Sequence, residues 1–173
     1  MDIERRHGVA RLIADREMAR RVVTALVAGG APSPAAVGLI LTGDAEIAEL
    51  NERAMGHSGP TDVLSFPLLP PAAFPSHEGQ DPALRHAADL PAFALPPGQR
   101  ILLGEIVVSV ERAVAQAEEG RGGQTSDVRW SAADELRLLV THGALHVCGW
   151  DHARPAEEAA MRAVERTLLA DQA

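Results

Sequence analysis

Apolar positions along the chain recur with two periods, and the places where one gives way to the other mark out the elements. From about Asp15 to Ala28 the residues Met18, Val22, Val23 and Leu26 fall at helical spacing, and Gly29-Gly30 supplies a stop. After the turn-forming APSPAA, the run VGLILT (residues 37–42) is short, β-branched at its start and end, and bounded by breakers, which predicts a buried strand. Asp44 caps a predicted helix running to about Ala54, with Ile47, Leu50 and Ala54 turned to the core. PTDVLSFP, bracketed by prolines, reads as a strand, LLGEIVVSV is the strongest strand signal in the chain, and a short first strand is expected near Asp2 to Arg6. ERAVAQAEEG then predicts a helix ended by the glycines at 120, 122 and 123. From Ser131 to about Cys148 the pattern is helical again, with Asp134, Arg137 and Thr141 on a solvated stripe and Ala133, Leu136, Val140 and Val147 on an apolar one. Gly149 ends that helix, and Pro155 suits the first turn of a last one whose Ala160, Val164 and Leu168 face inward.

Residues 67–100 break the pattern. They hold most of the chain's prolines and no sustained period, and so predict a long surface loop or partly disordered insertion. His77 and His86 fall inside it, and both read as solvated. A chain of 173 residues is otherwise most simply one domain, spanning residues 1–173 and large enough to bury a core of its own. No apolar run approaches the roughly 20 residues of a membrane span, and the charged N-terminal stretch lacks the apolar core of a secretory signal. With Cys148 as the single cysteine, no intramolecular disulfide can form, and the cytoplasm is the expected location. The net charge of −8 argues against broad, non-specific nucleic-acid binding, and no DNA partner is expected. The arginines at 5, 6, 11, 16, 20 and 21 are interleaved with Glu4, Asp15 and Glu17, which reads as a solvated helix face.

The chemistry concentrates in HGALHVCGWDH, residues 142–152. Residues i and i+4 of a helix project from one face about 5–6 Å apart at Cβ, so a single metal ion can bridge His142 and His146. Gly149 stands where the chain must turn for His152 to swing back as a third ligand. Three neutral imidazoles leave a fourth tetrahedral position for water, the open arrangement of a catalytic zinc site. The spacing matches that of zinc peptidases, but the position after the first histidine, where they carry their glutamate base, is Gly143. A metal lowers the pKa of its water toward about 7, so a nucleophile can exist without that base. A peptide's poor leaving group still needs protonation, and a phosphodiester fits better. No side chain is thereby identified as a catalytic base. Asp151 is a candidate to orient an imidazole or accept a proton, with turn capping as its alternative, and Cys148 reads as packing.

The same stretch resembles the H-G-x-L-H-x-x-G-Y-D-H signature of the bacterial YbeY family of metal-dependent endoribonucleases. LNERAMGHSGPTDVLSFP (residues 50–67) is similar to the family's L-N-x-x-x-R-G-x-x-x-P-T-D-V-L-S-F-P, and LLGEIVVS to its L-L-G-D-I-V-I-S. The match runs from about Val37 to Leu169 and leaves out the proline-rich insertion. The resemblance implies an α/β (α+β) fold, a small mixed four-stranded sheet packed with helices, with a zincin-like ligand helix beside a groove for RNA. It assigns His142, His146 and His152 as ligands of one Zn2+. It also implies a single-strand-specific endoribonuclease in maturation of the 16S ribosomal RNA 3′ end and ribosome quality control, with ribosomal RNA and small-subunit or assembly proteins as partners. Two positions depart from the pattern. Met55 stands where the family often has an arginine that holds the RNA phosphate, so that contact comes from elsewhere or is absent, with Arg53 nearby but two residues along the helix and so on a different side, and Trp150 replaces a tyrosine, keeping a ring to pack or to stack on a base while losing the hydroxyl.

Two other readings stay open. A zinc peptidase or related hydrolase shares the ligand spacing and is opposed by Gly143. A non-catalytic ribosome assembly factor would use the zinc site to stabilise its fold, and the acidic net charge and Met55 keep it in play.

Overall fold

A computed structural model describes residues 1–81, 83, 96, 98–120 and 130–170 of the chain. Four strands, β1 (Asp2–Arg5), β2 (Ala35–Thr42), β3 (Val63–Pro67) and β4 (Ile101–Ser109), form one sheet in the order β1-β2-β4-β3. β1 and β4 run parallel to β2, and β3 closes the far edge antiparallel to β4. The registers Ile3↔Leu39, Leu39↔Ile106 and Ser65↔Ile106 align one row across all four strands. Around the sheet lie α1 (Asp15–Ala28), α2 (Asp44–Met55), α3 (Val110–Glu119), α4 (Ala132–Val147) and α5 (Pro155–Ala170). The α/β architecture with a mixed four-stranded sheet is therefore the one expected.

The strand alternation sorts the helices between the two faces of the sheet. Val37, Leu39 and Leu41 of β2 and Leu103, Ile106 and Val108 of β4 point into the main core, where they meet Met18 and Val22 of α1 and Leu136, Val140 and Ala144 of α4. The intervening Ile40, Val107 and Leu64 point the other way and are covered by Ile47 and Leu50 of α2. With both faces covered, β2 and β4 need the nearly continuous apolar runs that made them legible. α4 lies at the centre, packed on α1, α3 and α5 as well as β3 and β4. Its start is fixed by a capping box: Ser131 Oγ accepts from the Asp134 N–H at 3.2 Å, and the Asp134 carboxylate accepts from the Ser131 N–H at 3.0 Å.

Packing overrides several pattern-based expectations. Thr141 is fully buried and not on a solvated stripe, because α4 is enclosed on nearly every side, and its hydroxyl is satisfied by donating to the Arg137 carbonyl at 2.8 Å. Val23 is 50% exposed, a hundred degrees round α1 from the buried Val22, and Ala54, in the last turn of α2, is likewise exposed. The arginine-rich first segment is not uniformly solvated: Arg21 is buried against the end of α5, donating to the Leu168 carbonyl at 3.3 Å, and Arg5 is tied to Asp15 at 3.0 Å. The start of the proline-rich segment is also not a free loop. Phe74, just after a 3-10 turn at Pro71–Ala73, is 7% exposed and joins the main core. His86 and the glycines at 122 and 123 lie outside the described residues. Among those described, no helix is long and apolar enough to cross a membrane.

Candidate metal centre

The ligand face is built by α4 and the turn that follows it. His142 and His146 sit one turn apart near the helix end, and Gly149 breaks the helix with φ +80°. A side chain at 149 would be strained at that φ and would also strike Pro71, whose Cα lies 2.8 Å from the position of a Cβ. The reversal brings His152 back over the helix. Nitrogens of His142, His146 and His152 all lie within 4.8 Å of one another, and the ring centroids are 4.5 to 5.4 Å apart.

Two partners fix which ring nitrogens face the centre. His146 Nδ1 lies 2.8 Å from the Trp150 carbonyl oxygen, which can only accept, so Nδ1 carries the proton and Nε2 keeps its lone pair. His142 Nδ1 lies 2.7 Å from Glu165 Oε1, and an ionised carboxylate imposes the same tautomer. The two Nε2 atoms then point at each other across 3.0 Å. Opposed lone pairs at that distance repel unless a cation lies between them, and ligands around a tetrahedral zinc with Zn–N of about 2.0–2.1 Å stand roughly 3.3 Å apart. The donor set therefore fits a single tetrahedral ion. Electrostatics favours the same form: burial, then the neighbouring His142 and His152, lower the His146 pKa to about 4, so its imidazole is neutral at physiological pH, as a ligand must be.

Gly143 is explained by packing. Its Cβ position faces the sheet and would come 2.6 Å from Ile106 Cγ2 and 3.1 Å from Val63 Cγ2, while its carbonyl accepts a hydrogen bond from Ser65 Oγ at 3.1 Å. The site where zinc peptidases hold a glutamate has no room here for even a methyl group.

The other candidates separate. Asp151 Oδ1 accepts from the His152 N–H at 2.8 Å and caps the turn, the alternative role, while the residue also lines the groove with the histidines. Trp150 is 8% exposed, with His77 stacked on its ring at 4.0 Å and 15°, so it is not a free platform for a base. Its backbone carbonyl, not its ring, serves the centre. Arg53 is exposed, with its Nε donating to the Glu49 carbonyl at 3.3 Å, and it does not line the groove beside the histidines, whereas Met55 does. Cys148 packs as expected, with burial pushing its thiol pKa up to about 12. His77 corrects an expectation: its side chain is not solvated but only 6% exposed, with Nε2 2.9 Å from Glu157 Oε1. Glu165 and the His77–Glu157 pair escape a sequence reading because each contact joins segments 23 and 80 residues apart with no motif linking them.

The histidines lie in the floor of a groove of about 1170 Å3, walled by β3, the 149–152 turn and α5. That exceeds the roughly 300–1,000 Å3 of ordinary small-ligand pockets.

Comparison with known proteins gives one consistent answer. The family model described as Endoribonuclease YbeY matches residues 6–173. A protein named Endoribonuclease YbeY from Roseiflexus sp. (strain RS-1) is 40% identical over 79% of this chain and 69% of its own length. Proteins of the same name from Symbiobacterium thermophilum and Moorella thermoacetica are 37% and 40% identical, over 90% and 87% of this chain and 82% and 81% of theirs. The solution structure of TM1509 from Thermotoga maritima superposes with a TM-score of 0.52 at 19% identity, covering 98% of this chain and 89% of that one, and so shares its fold.

Proposed function

The chain belongs to the YbeY endoribonuclease family, and from that premise we propose that it is a zinc-dependent endoribonuclease that cuts single-stranded RNA at the His142–His146–His152 centre. Its substrate in this reading is precursor 16S ribosomal RNA at the 3′ end, met on or near small-subunit or assembly proteins in the cytoplasm. The observation that carries the reading is the pair of imidazole Nε2 lone pairs opposed at 3.0 Å in the floor of a groove large enough for a polymer.

A zinc ion held by the three histidines would supply a Lewis acid able to offset charge on the phosphoryl oxygens. The protein's own work is positional. Glu165 and the Trp150 carbonyl lock two imidazoles in the ligand tautomer, and burial keeps His146 neutral. Gly143 keeps α4 seated against the sheet and denies the site an adjacent carboxylate, which opposes peptide hydrolysis. RNA is the more fitting substrate because it needs no amine leaving group protonated by that residue.

The test is to incubate wild-type protein and a folded His146→Ala variant with precursor 16S ribosomal RNA and map the product ends. Wild type should generate discrete ends within single-stranded segments, and the variant none. Equal cutting by both, or silence from both, would leave the site structural and the protein an assembly factor.

A further inference from the structure

We propose that Arg162 and Arg166, one turn apart on α5, form the phosphate-binding wall of the groove and hold the RNA strand over the histidine centre. The inference rests on the endoribonuclease reading and adds the residues that engage the substrate's charge. Of the described side chains lining the groove, Arg162 and Arg166 are the arginines, no lysine exists in the chain, and the other charged groups apart from the histidines are carboxylates. An RNA strand entering a groove of that composition, on a protein of net charge −8, needs local cations to be retained at all.

Their placement follows from helix geometry. Glu165, three residues after Arg162 and next to Arg166, turns its carboxylate onto His142. Arg162 and Arg166, at i and i+4, form a row on the same helix immediately beside it, with Cβ atoms about 5–6 Å apart. The pair therefore lines the same groove as the three histidines. Arg162 is held by Glu158 at 2.6 Å, yet its side chain is 64% exposed, so that pair is a surface ion pair a phosphate can displace. Met55, on the same groove, supplies no charge, and Arg53 lies off it.

Arg11 offers a matched control: it too is 64% exposed and paired at i,i+4 with a carboxylate, Asp15, but it does not line the groove. The assay is fluorescence anisotropy of a short labelled single-stranded 2′-O-methyl RNA against salt, using the full-length protein. For single strands each phosphate contact contributes about 0.7 to the slope of log K against log salt. Arg162→Gln and Arg166→Gln should each lower the slope by about 0.7 and the double variant by about 1.4, a roughly 7-fold difference in salt sensitivity between 50 and 200 mM. Arg162→Lys should keep the slope, Glu158→Gln should tighten binding by freeing Arg162, and Arg11→Gln should change nothing. Wild-type slopes in both groove variants, or an equal loss in Arg11→Gln, would overturn the assignment. A wild-type protein that binds the RNA without salt dependence, or not at all, would overturn the endoribonuclease reading and this inference with it.

Discussion

Replacing Gly143 by alanine pits two known quantities against each other. In the middle of a helix alanine is favoured over glycine by about 0.8–1.0 kcal/mol, so propensity alone predicts a more stable protein. The packing says the opposite. The added methyl would lie 2.6 Å from Ile106 Cγ2, 3.1 Å from Val63 Cγ2 and 3.2 Å from Ser65 Oγ. Ile106 cannot yield cheaply: it is fully buried in β4, paired to both β2 and β3, and its Cγ2 is a branch methyl on a side chain stiff at χ1. Relief must come from lifting α4 off the sheet, which would also stretch the Ser65 Oγ bond to the Gly143 carbonyl at 3.1 Å. Overpacking of this kind costs typically 1–3 kcal/mol. Set against the propensity gain, the net expectation is a loss of about 1 kcal/mol, or roughly 2–4 °C in melting temperature for a chain of this size. Urea unfolding at equilibrium, followed by circular dichroism, measures it directly. A Gly143→Ala protein as stable as wild type, or more so, would show that α4 is not seated on β3 and β4 as described, and would remove the physical reason for the missing glutamate.

Other consequences are as direct. Glu165→Gln keeps the size of the side chain but weakens its hold on His142, and zinc affinity in competition with a chromophoric chelator should fall about 10–100-fold without loss of fold. Cys148, with its thiol raised to about 12 by burial, should resist a thiol-reactive dye at pH 8 in the folded protein and react promptly in urea; prompt labelling of the native state would contradict the burial. His77→Ala strips Glu157 of its partner in a setting where both side chains are nearly inaccessible, and thermal unfolding should show a loss of about 1–3 kcal/mol, smaller for His77→Gln, which keeps a donor.

What could be read from the chain depended on the distance over which each signal acts. The helix boundaries at Ser131 and Gly149 were legible because caps and glycine stops are local chemistry, and the three-histidine cluster because an i,i+4 pair and a glycine turn place its members within eleven residues. The family resemblance named the sheet, and the apolar runs in β2 and β4 agreed with it because both faces are covered. Residues whose roles come from tertiary enclosure could not be read that way. Thr141 has the polarity of a surface residue and is buried because α4 is central; His77 sits in a stretch with the composition of a loop, and its side chain is enclosed because Glu157 and Trp150 receive it. Glu165 reads as one of many α5 carboxylates until the fold brings it to His142. Of the two roles open to each from the sequence, Asp151 takes turn capping through the His152 N–H beside it, and the Trp150 ring takes packing, against a His77 that only the fold brings near.

One metal ion held by the three histidines would make the groove a ribonuclease site. The direct measurement is to strip the protein with chelator, titrate zinc back, and follow cleavage of a single-stranded ribosomal precursor RNA alongside metal content. If that role is right, the stripped protein does not cut, activity returns and levels off at one equivalent of zinc, and a folded His152→Ala variant does not recover. Full cleavage by the stripped protein, or a His152→Ala variant that responds like wild type, would contradict it.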